Sequence, residues 1–149
     1  VGAVVFGALS GGRIKDISFS LDKALAFDGE TGPYLQYTHA RCCSIINKAG
    51  EDAGERDYKI LTGNDAFAVV KLVDAFDSVV MSALEKYEPS IISRYLIDLA
   101  QAFNKFYVGS RIIGEAPAVA GTRLALVKAV RSVLKTGLGL ILLNAPEKM

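Results

Sequence analysis

Residues 34 to 41, Tyr34-Leu35-Gln36-Tyr37-Thr38-His39-Ala40-Arg41, put two phenols, an imidazole, two amide- or hydroxyl-bearing side chains and a guanidinium into about two turns of helix. Tyr34, Tyr37 and Arg41 fall at i, i+3 and i+7 and so share one face. Aromatic rings that stack on bases, beside a guanidinium that contacts phosphate or a base edge, are the chemistry of single-stranded RNA recognition. Spacing by itself favours a plainer reading, a tyrosine pair half-buried at a helix interface beside a surface arginine. Lys128, Arg131 and Lys135 also share a face, opposite an apolar stripe. Three phosphate contacts from them would give a salt-dependent, sequence-blind affinity, and alone they are an ordinary solvated surface.

Other chemistries find no complete residue set. His39 is the lone histidine and the two cysteines, Cys42 and Cys43, are adjacent, which supplies neither a tetrahedral zinc site nor a disulfide framework. His39 reads as a polar helix residue that hydrogen-bonds locally, with no partner to make it a general base. Gly29-Glu30-Thr31-Gly32 lacks the Gly-Lys-Ser/Thr ending of a phosphate-binding loop, and no Gly-x-Ser-x-Gly occurs. The expectation is therefore no catalytic and no metal-binding residue in this chain.

The elements that position these side chains follow from periodicity. An apolar run, Val1 to Leu9, reads as a buried helix broken by Gly11-Gly12, and Ile14, Ile17 and Phe19 suggest a short strand within residues 14–20. Asp22 reads as the cap of one turn ending at Phe27. After the turn-forming residues 28–32, Pro33 opens a helix running to about Lys48 and stopped by Gly50. Residues 50–64 read as an exposed connection. Asn64 or Asp65 then caps a long helix to about Tyr87, with Val69, Leu72, Val73, Phe76, Val80 and Leu84 at spacings of three and four. Glu88-Pro89 opens a helix striped by Ile92, Tyr95, Leu96, Leu99, Phe103 and Phe106, ending near Gly109. Thr122 caps a last helix stopped by Gly137. The expected fold is all-α, an antiparallel helix bundle.

Composition agrees with one packed domain: 51% hydrophobic and 22% charged residues. Net charge is only +1, yet the last third carries seven basic and two acidic residues and the middle third five and ten. A basic region on a near-neutral chain suits a local nucleic-acid contact. The opening apolar run is too short to span a bilayer and lacks a cleavage pattern, so a membrane partner is not expected. Adjacent unpaired cysteines suit a cytoplasmic setting. The absence of an initiating methionine suggests a piece of a longer protein.

The string Phe27-Asp28-Gly29-Glu30-Thr31-Gly32-Pro33-Tyr34-Leu35-Gln36-Tyr37-Thr38-His39-Ala40-Arg41 closely resembles the signature joining the catalytic and anticodon-binding domains of arginyl-tRNA synthetases. Arg13-Ile14-Lys15-Asp16-Ile17, Tyr87-Glu88-Pro89-Ser90, Tyr95 to Tyr107, Arg123-Leu124-Ala125-Leu126-Val127 and Ala145-Pro146-Glu147-Lys148-Met149 extend the likeness over residues 1–48 and 87–149. It implies that residues 1–27 are a remnant of the catalytic domain and 28–149 the helical anticodon-binding domain. It further implies that arginine tRNA is the partner and that the whole enzyme, expected to be a cytoplasmic monomer, attaches arginine to tRNA with ATP and Mg. The family's ATP-site signatures, of His-x-Gly-His and Lys-Met-Ser-Lys type, are absent here, so this chain alone should be inactive and hold no cofactor.

Residue by residue, the resemblance puts anticodon contacts on Tyr37, Arg41, Tyr107 and the C-terminal Met149. Gln101 and Asn104, nearly two turns and one turn before Tyr107, become base-edge readers, while Tyr34, Gln36 and His39 are assigned to the domain junction or to a further tRNA contact. The connection Val108 to Pro117 departs from the pattern. Two further expectations stand beside these: a helical protein-interaction module on the same framework, and self-association through apolar residues of the N-terminal segment if their normal neighbours are missing.

Overall fold

A computed structural model describes residues 2–12, 20–26, 29–50 and 54–149, and among them the regular structure is helical. The elements are α1 (Gly2–Ser10), α2 (Leu21–Ala24), α3 (Gly32–Ala49), a 3-10 turn (Tyr58–Thr62), α4 (Asn64–Asp74), α5 (Phe76–Lys86), α6 (Ser90–Gly109) and α7 (Pro117–Leu140). The strand expected within residues 14–20 and the end of the turn at Phe27 lie outside the described residues. Asp22 sits inside α2 rather than ahead of it.

α3 forms for local reasons. Thr31 is extended and its hydroxyl oxygen accepts from the Tyr34 N–H at 3.1 Å, Pro33 supplies a preset first turn, and Gly50, at φ 75°, ends the helix. The Thr31 hydroxyl also donates to the Ala26 carbonyl at 2.6 Å, which ties α3 to the segment before it.

The long helix expected over residues 64–87 is two helices, bent at Ala75, where ψ is −8°. No glycine or proline causes the break. The Tyr95 hydroxyl, from α6, donates at 2.6 Å to the Leu72 carbonyl, the acceptor that the Phe76 N–H would use in an unbroken helix. The rings of Phe76 and Tyr95 then stack at 5.8 Å. Neither Asn64 nor Asp65 caps α4, since Asn64 is already helical and Asp65 pairs instead with Lys105 at 2.8 Å.

α7 begins five residues before its expected cap and passes through its expected stop. Pro117 takes the first-turn position, while Thr122 is buried within the helix, donating to the Ala118 carbonyl at 2.7 Å and accepting from the Asp57 N–H at 2.8 Å. Thr122 thus fastens the 54–62 connection to α7. Gly137 faces the α6 residue Leu96 so closely that an added Cβ would lie 2.5 Å from Leu96 Cδ2. Its role is a close helix contact, and the helix instead closes at Leu142, at φ 60°, with the Leu143 N–H donating to the Leu138 carbonyl at 2.8 Å.

The core lies where α6 crosses α3, α4 and α7: Leu96, Leu99, Phe103 and Phe106 meet Leu35, Val69, Val127, Val130 and Leu134, all at 1% exposure or less. α1 is joined to this core rather than left bare, with Ala3 and Phe6 buried and the Ser93 hydroxyl donating to the Leu9 carbonyl at 3.3 Å. Cys42 and Cys43 are buried free thiols, both pushed up in pKa by burial.

Tyr95 gives the core a pH dependence. Burial pushes its phenol up to about 12, against about 10 for an unfolded tyrosine. The folded state holds this proton more tightly, so its contribution is complete below about pH 10 and is lost as pH rises from there through about 12. Tyr95→Phe should lower stability at pH 7, through the lost hydrogen bond to Leu72, and flatten part of the alkaline decline in denaturation midpoints.

Candidate nucleic-acid interface

α3, the end of α6, the following connection and the C-terminal tail enclose an open groove of about 1210 Å³. α3 lines it with Tyr37, Arg41, Ser44 and Lys48, one continuous ridge at helical spacing, and α6 contributes Tyr107. Arg41 is the centre. Its Cζ lies 4.8 Å from the centroid of the Tyr37 ring and 5.4 Å from that of Tyr107, and its Nη2 donates to the Tyr37 hydroxyl at 3.1 Å. Tyr37 is 39% exposed and Tyr107 38%, so both rings present surface to solvent. Tyr107 is steadied from below by Phe103, whose ring lies 6.3 Å away at 24°.

Asn104 touches Arg41 rather than the groove. Its Oδ1 accepts from Arg41 Nη1 at 2.6 Å, and its Nδ2 donates to the Tyr34 hydroxyl at 2.8 Å and to Thr38 Oγ1 at 3.2 Å. Tyr34 is thus a half-buried support. Gln36 and His39 act at the same level: Gln36 Nε2 donates to the Asn144 carbonyl at 2.9 Å, and His39 Nδ1 is 2.9 Å from the Pro146 carbonyl. A carbonyl only accepts, so His39 carries its proton on Nδ1 in this bond. His39 has a local partner on α3, the Cys43 sulfur at 3.9 Å, and beside it this bond spanning 107 residues. Together the bonds from Gln36 and His39 hold the tail along α3 and deliver Met149, 60% exposed, to the groove.

The rest of the expected set falls elsewhere. Gln101 is exposed on α6 and does not line the groove. Lys128, Arg131 and Lys135, on α7, which packs against α3, do not line it either. That packing turns Arg131 toward Cys42 and Cys43, where both thiols feel its charge, and leaves its Nε buried with no hydrogen-bond partner. Among the described residues no group of histidines, cysteines and carboxylates could hold a metal ion, and no helix is long and apolar enough to cross a membrane.

The groove also holds cations that the motif did not point to: Lys48, Arg111 and Lys148, with Arg41, against Glu147. Lys48 extends the ridge of Tyr37, Arg41 and Ser44 and was legible by spacing. Arg111 lies in the connection after α6, where periodicity says nothing. The connection is nonetheless built: Gly114 turns it at φ 84°, Arg111 Nε donates to the Ile113 carbonyl at 3.0 Å, and Arg123 Nη1 donates to the Arg111 carbonyl at 2.5 Å. Two half-exposed rings flanking a fixed guanidinium, rimmed by cations, can stack bases and neutralise phosphates.

The sequence matches the DALR anticodon binding domain family over residues 35–149. The chain belongs to that family. All the groove residues named above, and the tail that closes it, fall inside the stretch matched to the anticodon-binding domain. The chain is 48% identical over its whole length to the arginine–tRNA ligase of Clostridioides difficile and 50% identical to that of Enterococcus faecalis, covering 26% of each. Its fold superposes on Thermus thermophilus arginyl-tRNA synthetase with a TM-score of 0.92 at 35% identity, over 99% of this chain and 26% of that one. The chain thus spans about a quarter of the length of the relatives it matches. The bundle, the tail and α1 all take part in this likeness, and the all-α fold agrees with the periodicity.

Proposed function

We propose that this chain is the anticodon-binding part of an arginine–tRNA ligase and that the groove takes the anticodon loop of arginine tRNA. The stack of Tyr37, Arg41 and Tyr107 in a cation-rimmed groove carries this reading, because it offers base stacking and phosphate contact at one place. Bases splayed from the loop lie against Tyr37 and Tyr107, Met149 covers one side, and Lys48, Arg111 and Lys148 meet the backbone. Residues 28–149 form the anticodon-binding domain and residues 1–27 belong to the end of the catalytic domain. The complete protein, a cytoplasmic monomer on this reading, joins arginine to its tRNA using ATP with Mg. Those groups bind outside this chain, which carries neither ATP-site signature.

The test is equilibrium binding of the chain to arginine tRNA, and to the same tRNA with its anticodon changed, across a salt series. The expected result is tighter binding to the cognate anticodon, with affinity falling as salt rises. Equal affinity for both tRNAs at every salt concentration would overturn the anticodon reading. Recovery of a protein partner after nuclease treatment, with no tRNA bound, would favour the interaction-module alternative.

A further inference from the structure

Arg41 is a long side chain with a charged head, and what fixes its head decides whether the two tyrosine rings form one platform or two separate surfaces. The amide of Asn104 is the group that does so, and its orientation follows from proton counting. Thr38, fully buried, has one hydroxyl hydrogen and spends it on the Tyr34 carbonyl at 2.9 Å. Toward Asn104 it can only accept. The amide nitrogen must therefore face Thr38, at 3.2 Å, and its second hydrogen goes to the Tyr34 hydroxyl at 2.8 Å. That leaves Oδ1 pointing at Arg41 Nη1, 2.6 Å away, a short charge-assisted bond. Both donors of Asn104 are then committed to α3 and none remains for a base edge.

We propose that Asn104 is a positioning residue: read through Thr38 and Tyr34, its amide holds the Arg41 guanidinium between the rings of Tyr37 and Tyr107. This rests on the anticodon reading for its consequence in RNA binding, but not for the geometry itself. It reassigns Asn104 from reader of a base to holder of the group that meets it. Arg41 Nη2 then reaches the Tyr37 hydroxyl at 3.1 Å, so α3 and α6 share one bonded unit across 63 residues of sequence.

Two readouts test it. In the free chain, the Arg41 side-chain N–H signals in NMR should be sharp and slow in guanidinium rotation, collapse toward free rotation in Asn104→Ala, and recover in Asn104→Asp, where one carboxylate oxygen faces Arg41 and the other takes a hydrogen from the Tyr34 hydroxyl, at the loss of the Thr38 bond. In binding to arginine tRNA, Asn104→Ala should cost roughly 3- to 10-fold, the order expected when an immobilised side chain regains its rotamers. The same change made in an Arg41→Ala background should cost nothing more. Thermal unfolding of each variant separates loss of fold from loss of guanidinium order. Unchanged Arg41 signals in Asn104→Ala overturn the proposal, as do binding losses for Asn104→Ala and Arg41→Ala that multiply. If the signals change as expected while Arg41→Ala leaves binding intact, the positioning role stands and the anticodon reading fails.

Discussion

Arg41→Ala should weaken binding of arginine tRNA by about 10- to 100-fold at moderate salt, the largest loss from any single groove substitution. The reason is that one guanidinium serves both rings. It stacks at 4.8 and 5.4 Å from Tyr37 and Tyr107, and its removal takes away a cation and the spacer that keeps the rings in register. It also leaves Asn104 Oδ1 without its charged partner. Tyr37→Ala and Tyr107→Ala should each cost less, roughly 5-fold, the low end of the worth of one base–aromatic stack. The salt series distinguishes the roles. Arg41→Ala should lower the slope of log affinity against log salt by about one, whereas the tyrosine variants should shift the line in parallel. A parallel shift for Arg41→Ala would mean the guanidinium meets a base edge rather than a phosphate.

How much of this site the sequence carries depends on how far apart its parts lie. The α3 ridge is local: Thr31 and Pro33 start the helix, Gly50 ends it, and a period of 3.6 puts Tyr37 and Arg41 on one face. Tyr107 and Met149 came from a family resemblance rather than from spacing, and they line the same groove as that ridge. The bonds that support this ridge are not legible, although most of the residues that make them stand out by resemblance. The bonds from Asn104 to Arg41 and from His39 to Pro146 join residues 63 and 107 positions apart, and no periodic pattern encodes them. The fold shows the same division. Helix existence followed from apolar stripes, but the bend at Ala75 depends on a hydroxyl from α6, and Thr122, a good cap by residue type, spends its side chain on another segment instead.

Gly137 is the sharpest instance, because the residue read as a helix stop is a packing residue, and its substitution should show it. A Cβ there would meet Leu96 Cδ2 at 2.5 Å, Cδ1 at 3.2 Å and Cγ at 3.3 Å. Leu96 is fully buried, so its side chain has no solvent to move into. Gly137→Ala sets an overpacking cost of about 1 to 3 kcal/mol against about 1 kcal/mol of gained helix propensity, and should be net destabilising. A helical glycine with open space around it would respond oppositely, gaining stability from alanine. Leu96→Ala should cost about 2 to 5 kcal/mol through the cavity it leaves. In the double variant the methyl group introduced by Gly137→Ala occupies part of that cavity, so the loss in denaturant unfolding should be smaller than the sum of the single losses by about 0.5 to 3 kcal/mol. Strict additivity would mean that α6 and α7 relax apart at this point. In that case tRNA affinity should fall as well, because the same α6 carries Asn104 and Tyr107 to the groove.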